Sequence, residues 1–202
     1  ARDGLVYQGV PDRLNAGWQY WYRILRNEGF VLGYSDYRLN PVWVSYELRA
    51  LNREQKQQRY SRPGHFEKDW RSIWPVTHDD YTRTGYDRGH MAPAYAISTR
   101  YGSDAVLETF KMSNIVPQLP NLNRRSWKNA ELYLAKKFSS RQEATYIVCG
   151  PIFDSNRTFL NQSSLGRKIE IPDAFFMMAI GITGNTYETF SIVLPQTVDS
   201  TA

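Results

Sequence analysis

Four consecutive residues, Asp87-Arg88-Gly89-His90, bring together a carboxylate, a fixed cation, a flexible residue and an imidazole. Histidine is scarce. The chain has three, at 65, 78 and 90, and only His90 sits in a dense polar cluster. An imidazole with an ordinary pKa near 6.5 is mostly neutral at pH 7 and can take a proton from water. As a base it predicts activity that falls as the pH drops through that range. Asn123 offers a carbonyl oxygen to a hard cation such as Mg²⁺, which keeps several waters and needs few protein ligands. Arg88 and Arg59 can each fork onto phosphate oxygens. A base, a cation and charge-neutralising donors are what a phosphodiester hydrolase requires. Spacing alone leaves plainer readings open. A lone histidine is more often structural, an Asn at a helix start is usually a cap, and an inward Glu is often half of an ion pair.

The elements that must position these groups are partly readable. Trp127, Leu134 and Phe138 recur at helical spacing and predict a helix from about 123 to 138. Asn123, Trp127 and Glu131 are each four apart, so they are expected on one inward face. A carboxylate there is costly without a partner. Ser103 is expected to cap a short helix through 110. Strands are predicted at 30–34, 42–48, 145–149, 168–171, 174–182 and 186–194. Asn40-Pro41 reads as a turn, and Thr183-Gly184-Asn185 as a hairpin connection. Pro93 is read as a stop that prevents an immediate helix. Residues 49–63 read as a solvated basic loop, with Arg59 and Arg62 as the cations of interest. The aromatics Trp18, Tyr20, Trp21 and Tyr22 are expected to pack on the core. No repeat or linker appears, so residues 1–202 are read as one α+β domain.

Composition sets the bounds. The 202 residues carry 25 basic and 20 acidic side chains, a formal charge of +5. A basic balance suggests an anionic partner, nucleic acid first, or simply a basic protein. The 14% aromatic content suits base stacking or a thick core alike. No apolar run is long enough to span a bilayer, so no membrane partner is expected. The single Cys149 reads as an inert, buried strand residue. Ala1-Arg2-Asp3-Gly4 lacks the apolar segment of a signal peptide, and the start at Ala reads as a trimmed N-terminus.

Asp87-Arg88-Gly89-His90 resembles the signature of the DNA/RNA non-specific endonucleases, the ββα-metal nucleases with a His-Me finger. A second block is similar to that family too: Ser113-Asn114-Ile115-Val116-Pro117-Gln118, then Asn121-Leu122-Asn123, Trp127 and Glu131. The segments around Val42-Trp43-Val44 and Tyr146-Ile147-Val148-Cys149-Gly150 resemble its early and late strands, whereas residues 1–29 match it poorly. The resemblance implies a mixed, largely antiparallel central sheet flanked by helices, with a ββα-metal finger as the active site. It implies His90 as general base and Asn123 as the only direct protein ligand of one Mg²⁺, with Mn²⁺ or another divalent cation as a substitute. Arg88 and Arg59 would contact the phosphate, with Arg62 beside them. Glu131 would hold a metal-bound water, Asn114 would support the site, and Asp87 and Gln118 would orient its parts, Gln118 on the substrate side. The implied activity is sugar-non-specific cleavage of DNA and RNA to 5′-phosphates. The alternative is a nucleic-acid-binding module of the same fold without catalysis. A protein inhibitor is a candidate partner, and the expected location is secreted or periplasmic, with mitochondrial second.

Overall fold

The structure is a computed structural model that describes every residue except 1–2, 14, 59, 161–165, 167 and 199–202. Its centre is a six-stranded sheet in the order β1-β2-β3-β6-β9-β10. These strands are β1 Arg23–Arg26, β2 Val31–Ser35, β3 Asn40–Leu48, β6 Ala144–Ile152, β9 Ala174–Thr183 and β10 Thr186–Pro195. Every pairing in it is antiparallel. The expected α+β class and antiparallel sheet are therefore found. Strand β9 alternates buried and less buried positions, as a strand with one face on the core must. Strand β3 is buried nearly throughout because both of its faces are covered.

On one face, Leu32, Tyr46, Ile147, Phe175 and Met177 meet Ala96, Ile97, Trp127, Leu134 and Phe138 from the helices. On the other face, Leu5, Val6 and Val10 of the N-terminal segment pack with Val31 and Trp43. The Ser45 hydroxyl donates to the Leu5 carbonyl at 2.9 Å and ties this segment down. Of the aromatics expected to pack, only Tyr22 does, edge-on to Trp43 at 5.7 Å. Trp18, Tyr20 and Trp21 are exposed, which corrects that expectation. Cys149 is fully buried and its thiol reaches the Met91 carbonyl at 3.3 Å.

Several local expectations shift. Asn40-Pro41 is not the turn but the start of β3. Pro41 pairs with Tyr34 next to a register shift between Gly33 and Tyr34, and a bulge tolerates proline's missing donor. The chain reverses just before it, at Leu39 with φ 55°. Pro93 delays a helix only briefly, since it N-caps α2 Ala94–Tyr101. Ser103 opens α3 Ser103–Thr109 but makes no cap hydrogen bond; Gly102, φ 95°, holds the cap position. Residues 49–63 include a one-turn helix, α1 Arg53–Gln57, opened by an Asn52/Gln55 capping box and with no buried residue. The 183–185 hairpin is as read. Gly184 carries φ 56° at the first of two central positions, between Thr183 and its partner Thr186.

Away from the main sheet, the strand expected at 168–171 is only β8 Glu170–Ile171, paired with β7 Thr158–Phe159, and β4 Asp87–His90 pairs antiparallel with β5 Ile115–Gln118. A helical rod follows. It consists of α4 Lys128–Tyr133 between two π-helical stretches, Leu122–Trp127 and Leu134–Phe138. This ribbon and rod are the elements that carry the candidate site.

Candidate active site

The ribbon holds together through unusually close packing. A Cβ added to Gly89 would lie 2.1 Å from the Gln118 Oε1, so only glycine fits there. The turn after β4 is then locked by Asn114. Its Nδ2 donates to the Ala92 and Thr109 carbonyls, both at 3.0 Å, and its Oδ1 accepts from the Ala92 N–H at 2.8 Å. Asn114 is fully buried. Its place is to hold the backbone beside His90, in keeping with a supporting role.

His90 ends β4. Its ring lies 4.9 Å edge-on to Phe110 and 5.3 Å from Phe66. Its Nε2 is buried without a hydrogen-bond partner. Burial, helped by the charge of Arg62, pushes its pKa down to about 3. The imidazole is therefore neutral over the ordinary pH range, with a nitrogen lone pair available as an acceptor.

His90 lines a cleft of about 410 Å³ together with Arg62, Tyr95, Asn123, Arg124, Lys128 and Glu131. Asn123 is oriented by Asp87, whose Oδ2 accepts from the Asn123 Nδ2 at 2.9 Å. With its nitrogen committed, the amide has its oxygen left for another partner. Arg124 grips the same carboxylate with two bonds of 2.8 and 2.7 Å. Burial works to raise the Asp87 carboxyl, but the Arg124 and Asn123 hydrogen bonds and the charges of Arg124 and Arg88 hold it below its usual value.

Glu131 is the costly inward carboxylate that the helix pattern predicts. Burial raises its pKa to about 8, against the favourable influence of the Trp127 indole, Arg62 and Lys128. Neither its Oε1 nor the Trp127 Nε1 completes a hydrogen bond. No group of three His, Cys, Asp or Glu side chains among the described residues could hold a metal ion. The donors that do converge are the Asn123 carbonyl oxygen, the Glu131 carboxyl and the His90 Nε2. They suit a hard divalent cation bound through one protein oxygen and otherwise through water, and the orphaned Glu131 oxygen is a ready acceptor for such a water.

The structure separates other expected residues from this group. Arg88 does not line the cleft: its Nε and Nη2 donate to the His78 carbonyl at 3.0 and 2.6 Å, and Nη2 reaches the Thr82 hydroxyl at 2.9 Å. These bonds tether it to the loop before β4. Gln118 is fully buried opposite Asp87 and packed against Gly89, so it cannot touch substrate. Arg59 lies outside the described residues. Arg62 is an exposed cleft residue, as expected.

Arg124, Lys128 and Tyr95 are cleft residues that sequence reasoning missed. A signal existed: counting from Arg124 instead of Asn123 gives Lys128 and Leu132 at steps of four, with Glu131 and Ala135 beside them, and all line the cleft. Trp127 lies inward as expected, buried in the core with its indole beside Glu131, while Asn123 and Glu131 reach the cleft. The π-helical bonding of Leu122–Trp127 changes the phase of the rod, a feature frequent at functional sites.

Comparison with known proteins agrees with this architecture. The model of the DNA/RNA non-specific endonuclease family matches residues 19–201. Mitochondrial endonuclease G of Bos taurus is 28% identical over 173 residues, covering 82% of this chain and 57% of that protein. A nuclease of Nostoc sp. is 29% identical over 181 residues, covering 82% and 60%. The chain thus spans less than two thirds of the length of these relatives. A solved structure of the EndoG/EndoGI complex superposes with a TM-score of 0.72 at 24% identity, covering 87% of this chain and 74% of that one, a likeness of fold. With the match running from residue 19 almost to the C-terminus, and the β4–β5 ribbon and helical rod gathering its two sequence blocks at one cleft, the chain belongs to the DNA/RNA non-specific endonuclease family.

Proposed function

We propose that the chain is an endonuclease that hydrolyses phosphodiester bonds of DNA and RNA without regard to the sugar, leaving 5′-phosphates. The observation that carries this reading is the His90 Nε2, buried, unpartnered and neutral, on the wall of a cleft shared with Arg62, Asn123 and Glu131. In the proposed reaction His90 takes a proton from the attacking water. The bond from phosphorus to the 3′-oxygen breaks, and the phosphate stays on the 5′ side of the product. Arg62, Arg124 and Lys128 supply positive charge to the phosphates. Asp87 keeps the Asn123 amide in one orientation, so that its oxygen would hold one Mg²⁺, or Mn²⁺ in its place. When bound, the cation supplies Lewis-acid charge at the scissile phosphate. Glu131 accepts a hydrogen bond from water beside Asn123 and fixes it. Arg88 acts indirectly here, by holding the loop before β4, and Arg59 is kept as an upstream phosphate contact on resemblance alone.

The grip on substrate is through phosphates, so little sequence preference is expected. A protein inhibitor is proposed as a partner, because the solved relative is an EndoG/EndoGI complex. A secreted or periplasmic location is proposed; the relatives named mitochondrial make that compartment the alternative. Digestion of supercoiled plasmid and of a long RNA with Mg²⁺ at neutral pH tests the activity, with His90→Ala as the inactive control. Binding of both polymers without any cutting would favour a non-catalytic binding module instead.

A further inference from the structure

Four of the six tryptophans lie on the surface, Trp70 at 78% and Trp18 at 68% exposure, with Trp21 and Trp74 also exposed. Tryptophan is highly buried on average, so four exposed on one protein call for a reason. Three of them lie by residues that meet at or beside Asp36, outside the cleft, and Trp70 precedes the Ile73 contact by three residues. Asp36 accepts from Arg23, next but one to Trp21, at 3.4 Å, and from the Ile73 N–H, beside Trp74, at 2.7 Å. The ring of its neighbour Tyr37 meets Trp18 edge-on at 4.2 Å.

Cations accompany the rings. Arg23 lies 5.8 Å from the Trp21 ring and Lys68 lies 5.4 Å from the Trp70 ring. Two acids of this region face inward, whereas Glu67 stays exposed beside Lys68 and Trp70. Asp36 and Asp69 are largely buried beneath Arg23 and Arg71, whose side chains each remain 35% exposed. The outer surface therefore sets indole faces among more positive than negative charge, Arg23, Lys68 and Arg71 against Glu67.

We propose that this surface, centred on Trp18, Trp21 and Trp70, is a stacking platform for single-stranded nucleic acid, separate from the cleft. Single strands offer unstacked base faces to indoles and phosphates to the surrounding cations. A duplex keeps its base faces occupied and gains only the charge contacts. The proposal rests on the nuclease reading for its purpose, which is to hold a long strand while another part of it is cut. The chain itself links the two places. Phe66 lies against His90 at 5.3 Å, and Trp70 follows four residues later, within about 14 Å of chain reach. A protein partner could also use exposed tryptophans, but the outward cations and this link to the cleft favour a polyanion.

The test uses the whole chain carrying His90→Ala, which binds without cutting, and a fluorescein-labelled oligothymidylate of about 20 nucleotides. Fluorescence anisotropy should show that Trp18→Ala and Trp70→Ala each weaken binding about 5- to 100-fold, as expected for one stacked base. Trp70→Phe should restore most of the loss, and binding to a duplex of equal length should change little. In the active chain, Trp70→Ala should raise KM for long single strands and leave cleavage of a four-nucleotide substrate unchanged. Equal affinities for the parent and the tryptophan variants overturn the platform, even if cutting is intact, and assign the surface to a protein partner. Absence of cutting by the active chain overturns the nuclease reading instead, and the anisotropy still reads the platform.

Discussion

Glu131→Gln is expected to stabilise the fold while slowing cleavage, and the stabilisation should grow with pH. Burial raises the Glu131 pKa from 4.5 to about 8. Between those values the folded state keeps a proton that the unfolded chain releases. The contribution of this group is therefore full below pH 4.5 and is lost as the pH rises through 8. pH 7 lies 2.5 units (7 − 4.5) above the unfolded pKa, so holding the group protonated there costs about 3 kcal/mol at ~1.36 kcal/mol per unit. Glutamine has similar size and no charge to desolvate, so it avoids that cost. The assay is urea unfolding of both proteins in EDTA at about pH 5, 7 and 8.5. The expected gain is under about 1 kcal/mol at the first, about 3 at the second and about 4 to 5 at the third, where it levels above pH 8. Added Mg²⁺ should narrow the gap at pH 7, because a nearby cation favours the carboxylate. A difference that does not change with pH, or a loss of stability at pH 7, would refute the buried-carboxylate reasoning.

Asn123→Ala should leave the unfolding midpoint nearly unchanged and raise the Mg²⁺ concentration needed for half-maximal cleavage; unchanged metal dependence would remove Asn123 as the ligand. Asp87→Asn should cost about 10- to 100-fold in activity or metal affinity, as loss of an orienting partner does, with wild-type kinetics counting against the Asp87–Asn123 contact. The ordinary histidine value places the acid limb of kcat/KM near pH 6.5, whereas burial and Arg62 lower His90 to about 3. The base is then neutral above that value, so activity should persist down to about pH 5, and Arg62→Ala should move the limb upward; a limb at 6.5 that ignores Arg62→Ala would count against His90 as the base in this setting. Gly89→Ala should destabilise by roughly 1–3 kcal/mol, since its Cβ would meet Gln118 at 2.1 Å, and a melt equal to wild type would show that the ribbon has room.

Two charged surfaces bear on the proposed contact with nucleic acid. The cleft wall carries Arg62, Arg124 and Lys128, and the tryptophan surface carries Arg23, Lys68 and Arg71 near its rings. Charge on both surfaces makes binding fall steeply with salt if phosphates dominate. Stacking on the second surface is much less sensitive to salt, so single strands should lose affinity more slowly than duplexes.

Local pattern alone determined a good part of this protein. The strand at 174–182, the Gly184 turn and the apolar repeats of the helical rod are short-range signals, and each forms as read, though which residues of that strand are buried is set by the sheet. The two blocks around His90 and Asn123 are legible because their residue types have few other uses together. What only the tertiary structure decided depends on sums over distant neighbours. Asp87 meets Asn123 from 36 positions away, and that contact orients the amide. Arg88, adjacent to Asp87, turns instead to His78 and Thr82. The low pKa of His90 and the high one of Glu131 come from desolvation by packed elements, which no spacing rule contains. Tryptophan is the plainest case: the same side chain is buried at 127 and exposed at 18 and 70. Residue type sets the value of burial, but the surrounding fold decides whether there is anywhere to bury it.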